Sequence, residues 1–507
     1  MSNCIILTGG TYTHDFQSKV QRSLGPYRLA TGLEQAGYTT TVIDFVIHFS
    51  YDELTKVLEQ HLDKDTLWVG FSSTFFWSNN SSSFNETPLD RMWYGDVKDI
   101  HKIIDFIKSK SKAKIVYGGA KAPYFLADDK IDYYVIGYGD NSVVALSDYL
   151  KNGTPLLDCT PLDINGTTAQ LIDSNKYPEP KMDEIQTRWW REDFNILPGE
   201  GLPIEMARGC IFKCKFCSYP LLGKKKGTYI RDPEEIRDEL IKTWEAHGTD
   251  SYYFTDDTFN DDNDKIEALH KIFTSLPFKP KFSAYLRVDL INRYPHQADM
   301  LTEMGLIGTY FGIETLQAKS AVAIGKGLHP NKVKDRLYWL NEKWNKKVNI
   351  GAGFILGLPY DTHEYFTELL NWTMERDNPL QHVSFYPLFL FRRSVEEYSR
   401  LKDYSSEFSL NPQIYGYQFP SSNPVQWELP EQNMSYEICT RAANEFMKIV
   451  VPRNRLSEFQ MISNLNAGVS LDDLYNLTER EIWIKYDMRK LNEQKITQYK
   501  QMVNRSG

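Results

Sequence analysis

The chain has 507 residues, of which 41% are hydrophobic and 25% charged, and a formal net charge of −9. At roughly 100 to 200 residues per domain this length predicts about three globular units, and the composition excludes disordered and fibrous classes. No apolar run approaches the ~18 residues of a spanning helix, and acidic and basic residues interleave, so neither membrane nor nucleic acid is indicated. The opening Met1–Leu7 reads as a strand rather than a signal peptide, so a cytoplasmic chain is expected.

The first ~150 residues alternate strand and helix patterns, in the manner of a doubly wound parallel sheet. Strands are expected at Ile5–Leu7, Thr39–Asp44, Leu67–Ser72, Lys114–Tyr117 and Tyr133–Ile136. Helices are expected at Pro26–Gln35, Tyr51–His61, Val97–Lys108 and Ser142–Leu150. Ligands of such sheets bind beyond the strands' carboxyl ends, where Thr8-Gly9-Gly10, Ser72-Ser73-Thr74, Gly118-Gly119 and Gly137-Tyr138-Gly139 fall. These glycines either admit a large ligand or simply turn the chain. Residues 159–200, polar and carrying Pro178 and Pro180, read as a linker.

A second alternating series follows over 201–391, with strands at Pro203–Ala207, Tyr252–Thr255, Lys281–Leu286, Gly308–Ile313, Val348–Ile355 and His382–Leu388. Its first helix is bounded by Asp232 as N-cap, Pro233 in the first turn, Glu235 at capping-box spacing and Gly248 after its end. Six β/α units predict a partial parallel barrel with its chemistry at the strands' carboxyl ends. Residues 392–507 are expected to form a mainly helical cap, with helices near Tyr436–Val450 and Leu471–Met502.

Six cysteines stand at 4, 159, 210, 214, 217 and 439, a distribution unlike a disulfide framework. Cys210, Cys214 and Cys217 form a C-x3-C-x2-C triplet directly after the first strand of the second series. Three thiolates on one loop can hold three irons of a four-iron cluster and leave the fourth open to an outside ligand. Zinc is the weaker alternative, because no histidine closely follows Cys217.

The triplet, with the aromatic Phe216 before its third cysteine, resembles the radical S-adenosylmethionine (SAM) superfamily. The resemblance implies a [4Fe–4S] cluster on Cys210, Cys214 and Cys217 whose open iron takes the amino and carboxylate groups of SAM. Reductive cleavage would then give methionine and a 5′-deoxyadenosyl radical, with the cofactor carrying the chemistry. Phe216 would pack near the adenine, and Asp256 or Asp257 would face the methionine ammonium, with helix capping as their alternative role. Arg287 would reach the SAM carboxylate, unless it pairs with Asp289. Glu314, in Gly312-Ile313-Glu314, would lie near SAM or make a structural hydrogen bond. Gly353, Ile355 and Gly357 match a G-x-I-x-G pattern that presents backbone to adenine, although glycine in buried strands is common. An electron donor such as flavodoxin or ferredoxin is implied, with a small-molecule or peptide substrate.

A doubly wound domain before such a barrel resembles the cobalamin (B12)-binding subclass. Gly118-Gly119-Ala120 matches its Gly-Gly turn, and Gly137-Tyr138-Gly139-Asp140 resembles its Gly-Glu-Gly-Glu turn with both acids altered. Gly118, Gly119, Gly137 and Gly139 are therefore candidate cobalamin contacts. An Asp-x-His-x-x-Gly motif is absent, since Asp99-Ile-His101 and Asp361-Thr-His363 both lack the glycine. Bound cobalamin would imply methylation of an unactivated carbon, with methylcobalamin as donor. Without it, the sheet is a scaffold and the radical drives cyclisation, rearrangement or dehydrogenation. A methylthiotransferase would need a second cluster, for which the first domain offers only Cys4 and Cys159. A non-catalytic iron–sulfur carrier or sensor is the alternative outside enzymes. Lys224-Lys225-Lys226 reads as a solvated loop and Cys439 as a buried, inert thiol.

Overall fold

The computed structural model describes residues 3–9, 20–76, 97–119, 122, 128–218, 224–225, 227–392, 405–420, 423 and 425–505. The chain divides into two compact units, Met1–Ile204 with Asp238–Thr249 and Met488–Gly507, and Glu205–Arg237 with Asp250–Asp487. Gly10, Ala120, Gly223 and Lys226 lie outside the described residues. Among the described residues no helix is long and apolar enough to cross a membrane.

The first sheet contains β1 (Cys4–Leu7), β2 (Thr40–Ile43), β3 (Trp68–Ser72), β4 (Lys114–Gly118), β5 (Tyr133–Ile136), β6 (Thr160–Ile164) and β7 (Thr167–Asp173), ordered β2-β1-β3-β4-β5-β7-β6. β1 to β5 are short and mostly buried, as strands covered on both faces must be. The expected linker differs in detail: β6 and β7 form an antiparallel hairpin, and β7 pairs parallel with β5. Asn165 (φ 51°) and Gly166 (φ 82°) turn that hairpin, and its polar outer residues belong to an edge strand with only one buried face.

Residues around Arg22 lock this unit. The buried Arg22 guanidinium donates to Glu200 Oε2 at 3.1 Å, Asn195 O at 2.7 Å and Phe194 O at 3.2 Å. Lys495 Nζ lies 3.2 Å from the other Glu200 oxygen. Tyr27 donates to Asp44 Oδ2 at 2.8 Å, and the Asp44 amide donates to Tyr499 Oη at 2.8 Å. The terminal helix Met488–Val503 thus belongs with the first unit rather than with a separate cap, because Lys495 and Tyr499 complete its buried polar network.

The second sheet contains β8 (Leu202–Ile204), β9 (Ser251–Phe254), β10 (Lys281–Leu286), β11 (Leu306–Glu314), β12 (Asn349–Leu356) and β13 (His382–Pro387), ordered β13-β12-β11-β10-β9-β8. The described pairings from β9 to β13 are all parallel, in the open six-stranded arrangement expected of a partial barrel. Phe311, Ile313, Phe354, Leu356 and Phe385 are buried, with Phe354 against Trp372 of the helix His363–Thr373 and Phe385 against Phe446 of the helix Tyr436–Val450. The alternate residues Tyr310, Glu314, Ile355 and Tyr386 keep partial exposure on the other face. The helix Glu458–Asn466 packs against these strands. A Cβ on Gly308 would stand 3.0 Å from Met461 Cγ, Asn349 donates to Leu456 O at 2.6 Å, and Phe459 packs on Tyr253 and Tyr285.

Candidate active site at the carboxyl ends of the second sheet

The cysteine loop is pinned at its neck. Ala207 bridges Ile230, with Arg208 N donating to Tyr229 O at 2.9 Å and Arg231 N to Met206 O at 2.8 Å. Gly209, at φ 94°, starts the loop. Cys217 N donates to Cys214 O at 3.0 Å, a tight turn that sets these two cysteines near each other. Cys210 is buried and its Sγ lies 3.6 Å from Thr258 Oγ1, whereas Cys214 and Cys217 are half-buried. Burial pushes the Cys210 thiol up, the amide of Phe212 and hydroxyl of Thr258 oppose this, and Asp261 and Asp257 add to it. A metal that displaces the proton answers that cost. Among the described residues no three thiol, imidazole or carboxylate groups converge on a single ion. A four-iron cluster makes a different demand, one thiolate on each of three separate irons, and the donor set of three soft thiolates on one loop fits it.

Arg287, at the end of β10, brings a cation to this loop. Its Nη1 lies 3.6 Å from Cys214 Sγ, and its guanidinium stacks 3.7 Å from the Phe212 ring centroid. Two hydrogen bonds of 3.0 and 2.8 Å hold it to Asp289, so the ion pair considered from sequence is present beside the thiol contact. Phe216 is half-buried on the same loop.

The two aspartates after β9 have different surroundings. Asp256 is buried, accepts from Met206 N at 3.0 Å, and has Lys265 Nζ 3.9 Å from its other oxygen. Burial lifts its carboxyl to about 7 despite Lys265 and the Met206 amide. Asp257 is also lifted to about 7, by burial and then by Glu205 and Asp261, and its Oδ2 is buried without a hydrogen-bond partner, as is the Oδ1 of Asp256. Asp256 tethers the neck of the cysteine loop through Met206 N, whereas Asp257 keeps a buried oxygen uncompensated by any hydrogen bond.

Glu314 ends β11 beyond a register shift and adopts φ 69°, a left-handed conformation costly for a residue with a Cβ. Lys326 Nζ lies 3.6 Å from its Oε1 and donates to Gly312 O at 2.6 Å. A Cβ on Gly312 would come within 2.7 Å of Glu314 Oε1, so glycine there makes room for the carboxylate. Burial raises the Glu314 carboxyl, and Lys326 and Arg287 oppose it.

The G-x-I-x-G stretch has structural duties of its own. A Cβ on Gly353 would stand 2.3 Å from Tyr310 Oη, and one on Gly351 3.0 Å from Tyr310 Cδ2, so these glycines form a slot for the tyrosine ring. Ile355 points to the same face as Gly353. Gly357, at φ 96°, packs against Trp427 and Cys439. Its amide and that of Leu358 donate to Asp361 Oδ2 at 2.9 and 3.0 Å, and Tyr417 donates to its carbonyl at 2.8 Å. Burial lifts the fully enclosed Asp361 to about 7, against those two amides and the Ser320 hydroxyl. Sequence reasoning did not find Asp361, Tyr417 or Trp427 in this role; Asp361 four residues after Gly357 had a turn-capping spacing, while the two aromatics carried no local signal. Cys439 is buried, and burial raises its thiol far above the ordinary range.

In the first unit the candidate glycines serve packing. A Cβ on Gly118 would meet Val135 O at 3.1 Å, one on Gly119 (φ 119°) Ser73 Oγ at 2.9 Å, and one on Gly139 Val143 Cγ1 at 3.3 Å. Gly137 takes φ 86°. Asp140, in the altered turn, is buried with Arg28 at 3.1 Å. Glycine at 118, 119 and 139 is therefore required by the unit's own packing. His101 contacts Asp128 at 2.9 Å. Burial raises Cys4 to about 12, while Cys159 lies at the edge hairpin, so the two are separate thiols.

Residues 204–373 match the radical SAM superfamily. An uncharacterised methyltransferase of Pyrococcus horikoshii is 29% identical over 269 residues, covering 49% of this chain and 53% of that protein. A bacteriochlorophyllide d C-8(2)-methyltransferase of Chlorobaculum tepidum is 22% identical, covering 57% and 61%. The chain spans about half the length of the curated relatives it matches. Among solved structures, the radical SAM methyltransferase TsrM from Kitasatospora setae, determined with cobalamin and a [4Fe–4S] cluster, shares the fold with TM-score 0.62 at 16% identity, covering 98% of this chain and 100% of that one. The cobalamin-dependent radical SAM enzyme OxsB gives TM-score 0.52 at 16% identity, over 82% and 56%.

Proposed function

We propose, from the premise that residues 204–373 are a radical SAM domain, that the chain is a radical SAM enzyme that methylates an unactivated carbon with the help of cobalamin. The observation that supports this is the C-x3-C-x2-C loop after β8 in a chain that shares its fold, over 98% of its length, with a TsrM structure determined with cobalamin and a [4Fe–4S] cluster. When bound, the cluster supplies the electron that splits SAM into methionine and a 5′-deoxyadenosyl radical, and cobalamin supplies a methyl group. Cys210, Cys214 and Cys217 hold the cluster, and Arg287 offsets the thiolate charge nearest it. The unpartnered, buried Oδ2 of Asp257 receives the methionine ammonium, while Phe216, Gly353 and Ile355 flank the adenine. Lys326 fixes Glu314 beside SAM, and the turn at Gly357 is held by Asp361 and Tyr417. Gly118, Gly119, Gly137 and Gly139 give cobalamin a low surface, and a flavodoxin or ferredoxin supplies electrons.

A second reading has its own support: the Cβ directions of Gly118, Gly119 and Gly139 all meet the unit's own atoms, as a scaffold sheet alone would require. The radical would then drive cyclisation, rearrangement or dehydrogenation. Anaerobic reconstitution with iron, sulfide and hydroxocobalamin, followed by removal of unbound cofactor, separates the two. Stoichiometric cobalamin with 5′-deoxyadenosine formation is expected; deoxyadenosine without bound cobalamin overturns methylation and leaves the radical enzyme.

A further inference from the structure

The segment between β9 and the helix Asn263–Ser275 is anchored from several sides. Phe259 N donates to Tyr285 O at 2.9 Å, and the buried Phe259 ring lies 4.4 Å from that of Phe254 and 5.5 Å from that of Phe282 between centroids. Asp262 caps the helix by accepting from Asp264 N at 2.9 Å. From the helix's first turn, the buried Lys265 donates to Asp261 Oδ1 at 2.6 Å and to Thr258 O at 3.4 Å, and Tyr229 donates to Asp261 Oδ2 at 2.6 Å. These ties leave little freedom to Thr258 and Asn260, both of them buried.

Each of the two bears on a different cysteine of the triplet. Thr258 Oγ1 lies 3.6 Å from Cys210 Sγ and 2.8 Å from Asp257 O, and its single proton can serve one of these acceptors. A thiol at Cys210 donates to the hydroxyl oxygen. A thiolate carries no proton and is the charged, stronger acceptor, so the hydroxyl turns to sulfur. Asn260 acts through Arg287. Its Oδ1 accepts from Arg287 N at 2.8 Å, and its Nδ2 donates to Arg287 O at 3.1 Å and to Gln297 Oε1 at 3.2 Å. This two-way clamp fixes where the Arg287 side chain starts, while Asp289 and the Phe212 ring fix where it ends, with Nη1 3.6 Å from Cys214 Sγ.

We propose that Thr258 and Asn260 set the reduction potential of the cluster held by the triplet, Thr258 by donating to the Cys210 thiolate and Asn260, as a positioning residue, by holding the Arg287 guanidinium on that of Cys214. This role rests on the radical SAM reading above and adds which residues of this chain govern how readily the cluster is reduced. A four-iron cluster that accepts one electron gains one negative charge, part of which falls on its thiolates. A hydroxyl hydrogen and a guanidinium cation beside those sulfurs stabilise the reduced form more than the oxidised one, and so raise the potential. Removing either contact should lower it.

The test is a potentiometric titration of the anaerobically reconstituted full chain without SAM, following the reduced cluster by electron paramagnetic resonance, with iron content read in the same samples. Thr258→Val keeps the side chain's shape and removes its hydroxyl. It should make reduction about three- to tenfold less favourable, a potential lower by roughly 28 to 59 mV at about 59 mV per tenfold for one electron. Thr258→Ser restores the hydroxyl and should return the potential to that of the unmodified protein. Asn260→Ala releases the Arg287 backbone and should shift the potential in the same direction as Thr258→Val. The two sites are read separately, so a variant that fails to fold leaves the other to decide. Full iron with an unmoved or raised potential in Thr258→Val and Asn260→Ala overturns the tuning role and leaves the radical enzyme standing. Reduced iron content with the remaining clusters at the unmodified potential shows that these residues only support the loop, and overturns it equally. A low potential that persists in Thr258→Ser overturns the part given to the hydroxyl. Absence of a four-iron cluster in the unmodified protein overturns the radical reading itself.

Discussion

Replacing Asp361 tests how the turn after β12 is held. Its Oδ2 accepts both amides of Gly357 and Leu358, while its Oδ1 lies 3.2 Å from Ser320 Oγ, which donates to Pro359 O at 2.7 Å. An asparagine can reproduce all of this, with its oxygen on the amides and its NH2 toward Ser320. Asp361→Ala strands two buried N–H groups at about 1–3 kcal/mol each, roughly 2–6 kcal/mol in total. Asp361→Asn should lose little. The wild-type carboxyl is raised from 3.8 to about 7, so across that window the folded state keeps a proton that the unfolded chain has released. Stability therefore falls as pH rises from about 4 to about 7 and levels above it, by about 4 kcal/mol at ~1.4 kcal/mol per pH unit. Urea unfolding at pH 5 and pH 8, with SAM KM measured alongside, reads both effects. Asp361→Asn should remove this part of the pH dependence and keep SAM KM, whereas Asp361→Ala should raise KM. An Asn variant as unstable as the Ala variant would refute the reasoning, because the charged carboxylate would then be what holds the turn.

Burial alone would raise Glu200, but Arg22 and Lys495 hold its carboxyl at about 2, so its contribution is present above about 4.5 and lost as pH falls toward 2. Glu200→Gln leaves Arg22 buried without its counter-charge and should cost about 3–5 kcal/mol in urea unfolding at neutral pH, with a difference that shrinks in acid. Gly353→Ala drives a Cβ to 2.3 Å from Tyr310 Oη and should cost about 1–3 kcal/mol; adding Tyr310→Phe should recover part of that, and strict additivity would contradict the slot. Glu314→Ala should raise SAM KM by about tenfold with the cluster's iron and visible absorbance retained, a loss near the ~1.4 kcal/mol of one charge-assisted contact. Loss of iron instead would show that Glu314 supports the loop.

The architecture was legible wherever burial enforces a period. Strands with both faces covered became apolar runs, and Tyr51–His61, Tyr133–Ile136, Lys281–Leu286 and Tyr436–Val450 stand where the sequence placed them. The β6–β7 hairpin was not legible, because an edge strand with one wet face carries too few apolar residues to signal itself. Nor was the return of Met488–Val503 to the first unit, since Lys495 and Tyr499 meet Glu200 and Asp44 across some 300 to 450 positions of sequence. At the site, the cysteine triplet was readable as a candidate because its three thiols fall within eight consecutive residues, Cys210 to Cys217. The separate surroundings of Asp256 and Asp257 depend on which one reaches Met206, and the slot formed by Gly351 and Gly353 depends on a tyrosine from the neighbouring strand. Both follow from register, which composition does not reveal.

The central claim is that Cys210, Cys214 and Cys217 hold the cluster that cleaves SAM. Anaerobically reconstituted wild type and Cys214→Ala should be compared for bound iron and for 5′-deoxyadenosine released after dithionite reduction. Wild type should hold about four irons per chain and form deoxyadenosine, and the variant should do neither. Cleavage surviving in Cys214→Ala, with iron intact, would contradict the site.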